Sequence, residues 1–193
     1  MKSLLVVLLI TLGLSSTVIA QEHTNRPPKL PPNATTPTTP PNNANTGGWA
    51  RFTSDEGRFS VAMPGVPEDQ VETKPSDHGP YTTRLFVLRH QSNVFLIGYV
   101  DYDPSFNFNR QAELEMNRDN FIKGIKATLM TTRSLTIDGY QVIEFTAENE
   151  QRLFTSRVYM VGRRPYQIVV GSPKGTDDSV TINRFFNSFK IIP

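Results

Sequence analysis

The sequence predicts an α+β domain: an antiparallel β-sheet with helices on both faces, an α/β/α sandwich. Three observations lead there. Residues 81–90 and 94–102 are adjacent strand-like runs in which Leu85-Phe86-Val87-Leu88 and Val94-Phe95-Leu96-Ile97 are apolar on both alternating faces. A strand with two apolar faces has to be covered on both sides. Residues 109–129 and 177–189 carry apolar side chains close to a 3.6-residue period, one helix for each face. Between them, residues 131–171 read as a meander of strands separated by turn dipeptides.

The elements follow in order. Residues 49–53 and 58–62 flank Ser54-Asp55-Glu56-Gly57, a turn in which Gly57 is expected to supply a positive φ. Met63-Pro64-Gly65-Val66-Pro67 breaks the ladder, and residues 69–74 resume it as a polar edge strand. The turn at 76–80 leads into the doubly apolar pair. Asn109 is the expected N-cap of the first helix, whose core face is Leu114, Phe121, Ile122, Ile125 and Leu129, with Arg118 as the polar interruption. Asp138-Gly139, set between apolar runs, is a strong hairpin signal. In residues 140–148, Val142, Glu144 and Thr146 form a wetter face opposite Ile143, Phe145 and Ala147. Gly162-Arg163-Arg164 makes the next turn, read as a solvated hairpin tip. Thr176 or Asp177 caps the second helix, which presents Ile182, Phe185, Phe186 and Phe189 at i, i+3, i+4 and i+7.

The domain begins at Trp49. Lys2 is followed by the apolar run 4–14 and then by Val18-Ile19-Ala20 before Gln21, the layout of a secretory signal peptide cleaved between Ala20 and Gln21. The alternative, an uncleaved anchor, needs about 20 apolar residues; here Thr11, Gly13 and Ser15-Ser16-Thr17 interrupt a shorter stretch. Residues 21–48 hold seven of the 15 prolines and no aromatic residue, so they cannot offset their chain entropy and are expected to be a disordered, semi-stiff tether. All 12 phenylalanines, six tyrosines and the tryptophan lie in 49–193, which reads as one domain. The expected location is secreted or periplasmic, and with no cysteine the domain is held by core burial alone.

Charge excludes one class of partner. Of the 20 Lys/Arg and 18 Asp/Glu, Lys2, Arg26, Lys29 and Glu22 precede Trp49, which leaves 17 of each sign in the domain. A neutral domain without a clustered cationic footprint is a poor match for nucleic acid. Catalytic constellations are equally sparse. There is no thiol, the domain's only histidines are His78 and His90, and no serine stands in a Gly-x-Ser-x-Gly elbow. For a metal the candidates are Asp77-His78 and Asp101-x-Asp103; alternate residues share one face, so Asp101 and Asp103 can hold one cation if the strand runs through Asp103. The competing reading is that Asp103-Pro104 simply ends the strand. Polar and aromatic groups concentrate around Tyr99, Asp101, Tyr102 and Asp103, with Phe106 and Phe108 following, and a ligand or partner surface is expected there. The alternative is that Phe106 and Phe108 staple the entry of the first helix.

Taken in order, Gly57-Arg58-Phe59-Ser60-Val61 with Met63-Pro64, Ile137-Asp138-Gly139-Tyr140 running into Glu144-Phe145, Arg157-Val158-Tyr159-Met160-Val161 through Tyr166 to Val170, and Phe185-Phe186-Asn187-Ser188-Phe189 resemble the PsbP-like superfamily, closest to its bacterial secreted members. The resemblance covers most of 49–193 and is carried by turn and core fragments. It implies a largely non-enzymatic family whose photosynthetic members are extrinsic subunits on the lumenal face of a membrane complex, and one of whose eukaryotic relatives binds a small GTPase. The expectation is therefore an exported binding or accessory domain with a protein partner in the cell envelope, without catalysis, cofactor or integral membrane span. The rival expectation is a metal-dependent hydrolase using Asp101 and Asp103.

Overall fold

The computed structural model describes residues 48–77, 79–107 and 109–193, which form ten strands and two helices. The expected leader, with Ala20 and Gln21, and the tether to residue 47 lie outside the described residues, as do His78 and Phe108. Every strand pairing is antiparallel. One sheet has seven strands in the order β3 (Glu68–Lys74), β4 (Tyr81–His90), β5 (Asn93–Tyr102), β9 (Arg164–Pro173), β8 (Arg152–Val161), β7 (Tyr140–Glu148) and β6 (Thr128–Ile137). The polar segment after Pro67 is thus an edge strand, as its composition predicts. A second, three-stranded sheet orders β1 (Ala50–Ser54), β2 (Phe59–Met63) and β10 (Lys190–Ile191). This second sheet was not foreseen. Its third strand is two residues long, too short to leave a periodic trace in the sequence.

Alternation along the central strands divides the interior into two main clusters. Phe95, Ile97 and Tyr99 of β5 pack with Phe185, Phe186 and Phe189 and with β2. Val94 and Leu96 of the same strand pack with Leu114, Phe121 and Ile125 of the other helical segment. The wetter face of β7 is present only in part: Ile143, Phe145 and Ala147 are buried and Glu144 and Thr146 half-buried, but Val142, expected on the wetter face, is buried in the cluster that contains Phe185 and Phe189.

Helix α1 (Arg110–Gly124) starts where predicted, the Asn109 side chain accepting from the N–H groups of Gln111 and Ala112. It stops five residues before the end of the predicted periodic segment, and Leu129 belongs to β6. The stop is a Schellman motif: Ala127 N–H donates to Ile122 O (3.0 Å) and Lys126 N–H to Lys123 O (3.2 Å). Its left-handed residue is Lys126 at φ +51°, so the glycine that usually advertises such a stop is missing. Helix α2 (Ser179–Ser188) begins two residues after the start of the expected segment at Asp177 and ends just before Phe189, its C-cap. Neither Thr176 nor Asp177 is its N-cap; Asp178 holds that position without a side-chain cap bond. Asp177 Oδ1 accepts instead from Ser179 N–H (3.1 Å), within the turn leading into the helix.

Two turns separate expectation from outcome. At 138–139 the hairpin is as predicted, with φ +51° at Asp138 and +82° at Gly139. At 54–57 the left-handed residue is Arg58 (φ +51°), not Gly57. Gly57 is required for space: a Cβ there would lie 2.7 Å from both Phe59 Cε1 and Ser54 Oγ and 2.8 Å from Tyr99 Cε1.

Candidate functional site

The residues singled out at 99–103 lie at the end of β5, beside the start of β9. Hydrogen-bonded pairing between these strands ends at Tyr99 and Tyr166, and continuing that register by two residues sets Asp101 opposite Arg164. The two meet as a bidentate pair. Arg164 Nε donates to Asp101 Oδ1 (2.6 Å) and Nη2 to Oδ2 (2.9 Å), the fork geometry that suits a guanidinium to a carboxylate. Arg164 Nη1 also donates to the Glu56 carbonyl (3.0 Å), and the guanidinium lies 4.7 Å from the centre of the Tyr99 ring. Burial alone would lower the pKa of Arg164, but its bonds to Asp101 and Tyr166 outweigh that and raise it. Tyr166 in turn donates its hydroxyl to Gly57 O (2.8 Å), tying β9 to the β1–β2 turn.

Arg163 completes the arrangement. From the β8–β9 turn its Nη2 donates to the carbonyls of Asp103 (3.1 Å), Pro104 (3.3 Å) and Phe106 (2.6 Å). The expectation of a merely solvated tip at Arg163-Arg164 is therefore corrected: one arginine clamps the β5–α1 loop and the other the last carboxylate of β5. Strand β5 ends at Tyr102. Asp103 opens a turn in which its Oδ1 accepts from Ser105 N–H (2.9 Å), and that bond holds its carboxyl below the usual range. The condition for a shared cation, a strand running through Asp103, is not met, and both oxygens of Asp101 are already taken. Among the described residues no group of three His, Cys, Asp or Glu converges to hold a metal. Asp77 is described, whereas its partner in the other candidate pair, His78, is not.

The four candidate residues divide by exposure. Tyr99 is 2% exposed, a core residue that supports the site from beneath. Burial pushes its phenol up against the opposing charge of Arg84, though its hydroxyl makes no hydrogen bond of normal geometry. Asp101, Tyr102 and Asp103 are half-buried. Tyr102 stacks on Phe106 (4.9 Å between ring centres), which is itself 5% exposed. Phe106 packs on Tyr81 and Val100 of the sheet just before α1, the half of the stapling alternative that can be followed, since Phe108 lies outside the described residues.

One participant carries no motif in the sequence. Glu113, in the first turns of α1, is 3% exposed; it accepts from the Tyr102 hydroxyl and from Asn117 Nδ2 (3.0 Å). Burial raises its pKa, with the bonds from Tyr102 and Asn117 acting against the rise. Burial and the neighbouring Glu113 likewise push the Tyr102 phenol far above its usual range. The signal was that Glu113 falls one residue before Leu114, on the flank of the apolar stripe. Beside Arg164 on its other side is a shallow hollow of about 170 Å³ formed with Arg58, Tyr140, Val161 and the C-terminal Ile191-Ile192-Pro193.

The comparisons with known proteins fit this geometry at the level of fold. The solution structure of cyanobacterial PsbP (CyanoP) from Synechocystis sp. PCC 6803 superposes with a TM-score of 0.52, covering 81% of this chain and 99% of its own, at 8% sequence identity. The fold is PsbP-like. A crystal structure from Bacteroides thetaiotaomicron VPI-5482 aligns over 77% of this chain and 50% of its own, with 15% identity and a TM-score of 0.37. No protein-family model and no curated protein matches the chain. Among the described residues, no helix of the PsbP-like domain is long and apolar enough to cross a membrane.

Proposed function

We propose that this chain is an exported, non-catalytic binding or accessory domain acting on the cell-envelope side of a membrane, with a protein as its partner. The observation that carries the reading is the pairing of Asp101 with Arg164. The carboxylate best placed to be a metal ligand is bound at both oxygens by a guanidinium, and the adjoining loop is clamped by Arg163. Such an arrangement builds a rigid surface, where loops on a fixed scaffold characteristically carry recognition. The surface proposed is Asp101, Tyr102 and Asp103, with Tyr99 as its floor. The PsbP-like fold and the leader-like first 20 residues support the placement. In this reading the helices lie on opposite faces of the large sheet, α2 sharing its side with the small sheet, a layering supported by the two separate core clusters.

The test has two parts. Amino-terminal sequencing of protein recovered from periplasm or medium is expected to begin at Gln21; an intact Met1 in a membrane fraction would remove the export claim. Cross-linked capture from envelope extract is expected to recover a reproducible partner with the parent chain and to lose it with Asp101→Ala/Asp103→Ala. Circular dichroism and thermal melting would verify that the variant is folded. Metal-dependent turnover lost in that variant, with no partner recovered, would overturn the reading in favour of a hydrolase.

A further inference from the structure

The seven-stranded sheet has two edges with opposite character. β3 carries Glu68, Asp69, Glu72 and Lys74 within seven residues and is followed by Pro75, a composition that blunts an edge. β6 is ten residues long, has one charge and no proline, and is exposed along most of its length. That charge, Arg133, is engaged with Glu144 on β7 (Nε to Oε1, 2.7 Å). An edge of this kind presents unpaired N–H and C=O groups to any extended chain. We propose that two copies of this chain pair β6 against β6, antiparallel, about a two-fold axis at Ser134, joining two sheets into one.

The axis follows from elimination. Thr131, Arg133, Leu135 and Ile137 share the face of Val142 and Glu144, while Thr132, Ser134 and Thr136 share the other. A two-fold perpendicular to the sheet keeps each face with its counterpart, and outward-pointing main-chain groups also alternate along the strand. A residue can therefore oppose only one of its own set. Arg133 against its own copy sets like charges directly opposite, which is unfavourable. Centring on Thr132, or any earlier residue, runs into the bulge that shifts the register between Leu129 and Thr131. Centring on Leu135 leaves only the short stretch from Arg133 to Ile137. Centring on Ser134 uses the whole unbulged stretch from Thr131 to Ile137.

The cross-strand pairs in that register are compatible. Thr132 opposes Thr136 and Ser134 opposes Ser134, hydroxyl pairs of the kind the sheet already contains at Thr73–Thr82 (2.9 Å) and Thr131–Thr146 (2.7 Å). On the other face Arg133 opposes Leu135 and Thr131 opposes Ile137. A single strand pair buries less than the roughly 1,200–2,000 Å² of a stable interface, so the dimer is weak and forms with rising concentration.

The chain contains no cysteine, which makes a single introduced thiol diagnostic. Across the axis the Ser134 Cα atoms would be about 4.5–5.5 Å apart, inside the roughly 4.4–6.8 Å span of a disulfide. Thr131 on the same edge would lie roughly 20 Å from its copy, six residues along the strand. Whole-chain Ser134→Cys and Thr131→Cys are equilibrated at high concentration in a glutathione redox buffer and run on non-reducing gels, with sedimentation of the parent over a concentration series. The expected result is a disulfide dimer from Ser134→Cys, a monomer from Thr131→Cys, and a parent whose mass rises with concentration. Equal cross-linking of both variants, a monomeric parent at every concentration, or a parent dimer without a Ser134→Cys cross-link would each overturn the proposal.

Discussion

Arg164 binds Asp101 through two parallel hydrogen bonds while covering the Tyr99 ring. A lysine can reproduce the charge but neither the fork nor the planar stacking. Because the pair is partly exposed, Arg164→Lys is expected to lower stability by only about 1 kcal/mol, read from urea midpoints; an unchanged midpoint would mean that the stacking contributes nothing. Glu113 gives a pH signature. Its pKa is raised by burial in the folded state, so folding binds its proton more tightly than the unfolded chain does. The resulting stability is complete below the unfolded value of about 4.3 and is lost as pH rises through the folded pKa. Glu113→Gln retains an acceptor for Tyr102 and removes the titration. The difference in midpoint between variant and parent is expected to move in the variant's favour as pH rises from 4 to 8, and parallel profiles would refute the assignment. Both arginines and Asp101 stood out in the sequence, yet their meeting did not, because it depends on β5 pairing with β9 across more than 60 residues of chain. No local pattern encodes that.

At the scale of elements, the beginnings were more legible than the ends. Asn109 announces α1 through a side chain whose chemistry is visible in one letter, and removing that oxygen with Asn109→Ala should cost about 1 kcal/mol. The loss should appear in thermal melts, and faster amide exchange is expected at Gln111 and Ala112, whose N–H groups it caps. The other end is set by backbone geometry at Lys126, which has the wrong side chain to advertise a left-handed turn; the predicted helix therefore ran on into β6. Apolar periodicity nonetheless picked the core face at Leu114, Phe121 and Ile125, though not at Leu129, which is exposed in β6. Ile125, at the C-cap, and Phe186 of α2 are 7% and 3% exposed, and either →Ala change is expected to cost roughly 2–5 kcal/mol. A midpoint within error of the parent would show that the cavity collapses at no cost.

Over the whole molecule, the alternating apolar faces of Leu85-Phe86-Val87-Leu88 and Val94-Phe95-Leu96-Ile97 require cover on both sides. Their side chains do divide between two clusters. What remained hidden was that part of the cover is a small sheet, closed by Ile191 opposite Phe59, a contact between the two ends of the domain. That closure bears on where the domain begins. Trp49 packs edge-on against Phe95 (5.6 Å between ring centres) with Arg184 4.7 Å from its ring centre, and Ala50 starts β1 immediately afterwards. Gly48, just before it, is exposed with φ +78°. A protease requires an extended, accessible segment, so cleavage is expected to run through the proline-rich stretch and stop close to Trp49. Beyond that point, unpairing β1 from β2 would unseat Phe52 from Phe59 and Phe86, linking further cleavage to global unfolding. Mass spectrometry of a limited digest is therefore expected to show one resistant fragment starting within a few residues of Trp49 and reaching Pro193. Degradation through β1 under native conditions, leaving a stable fragment that begins at β3, would mean that the small sheet is peripheral and the core lies entirely in the large one.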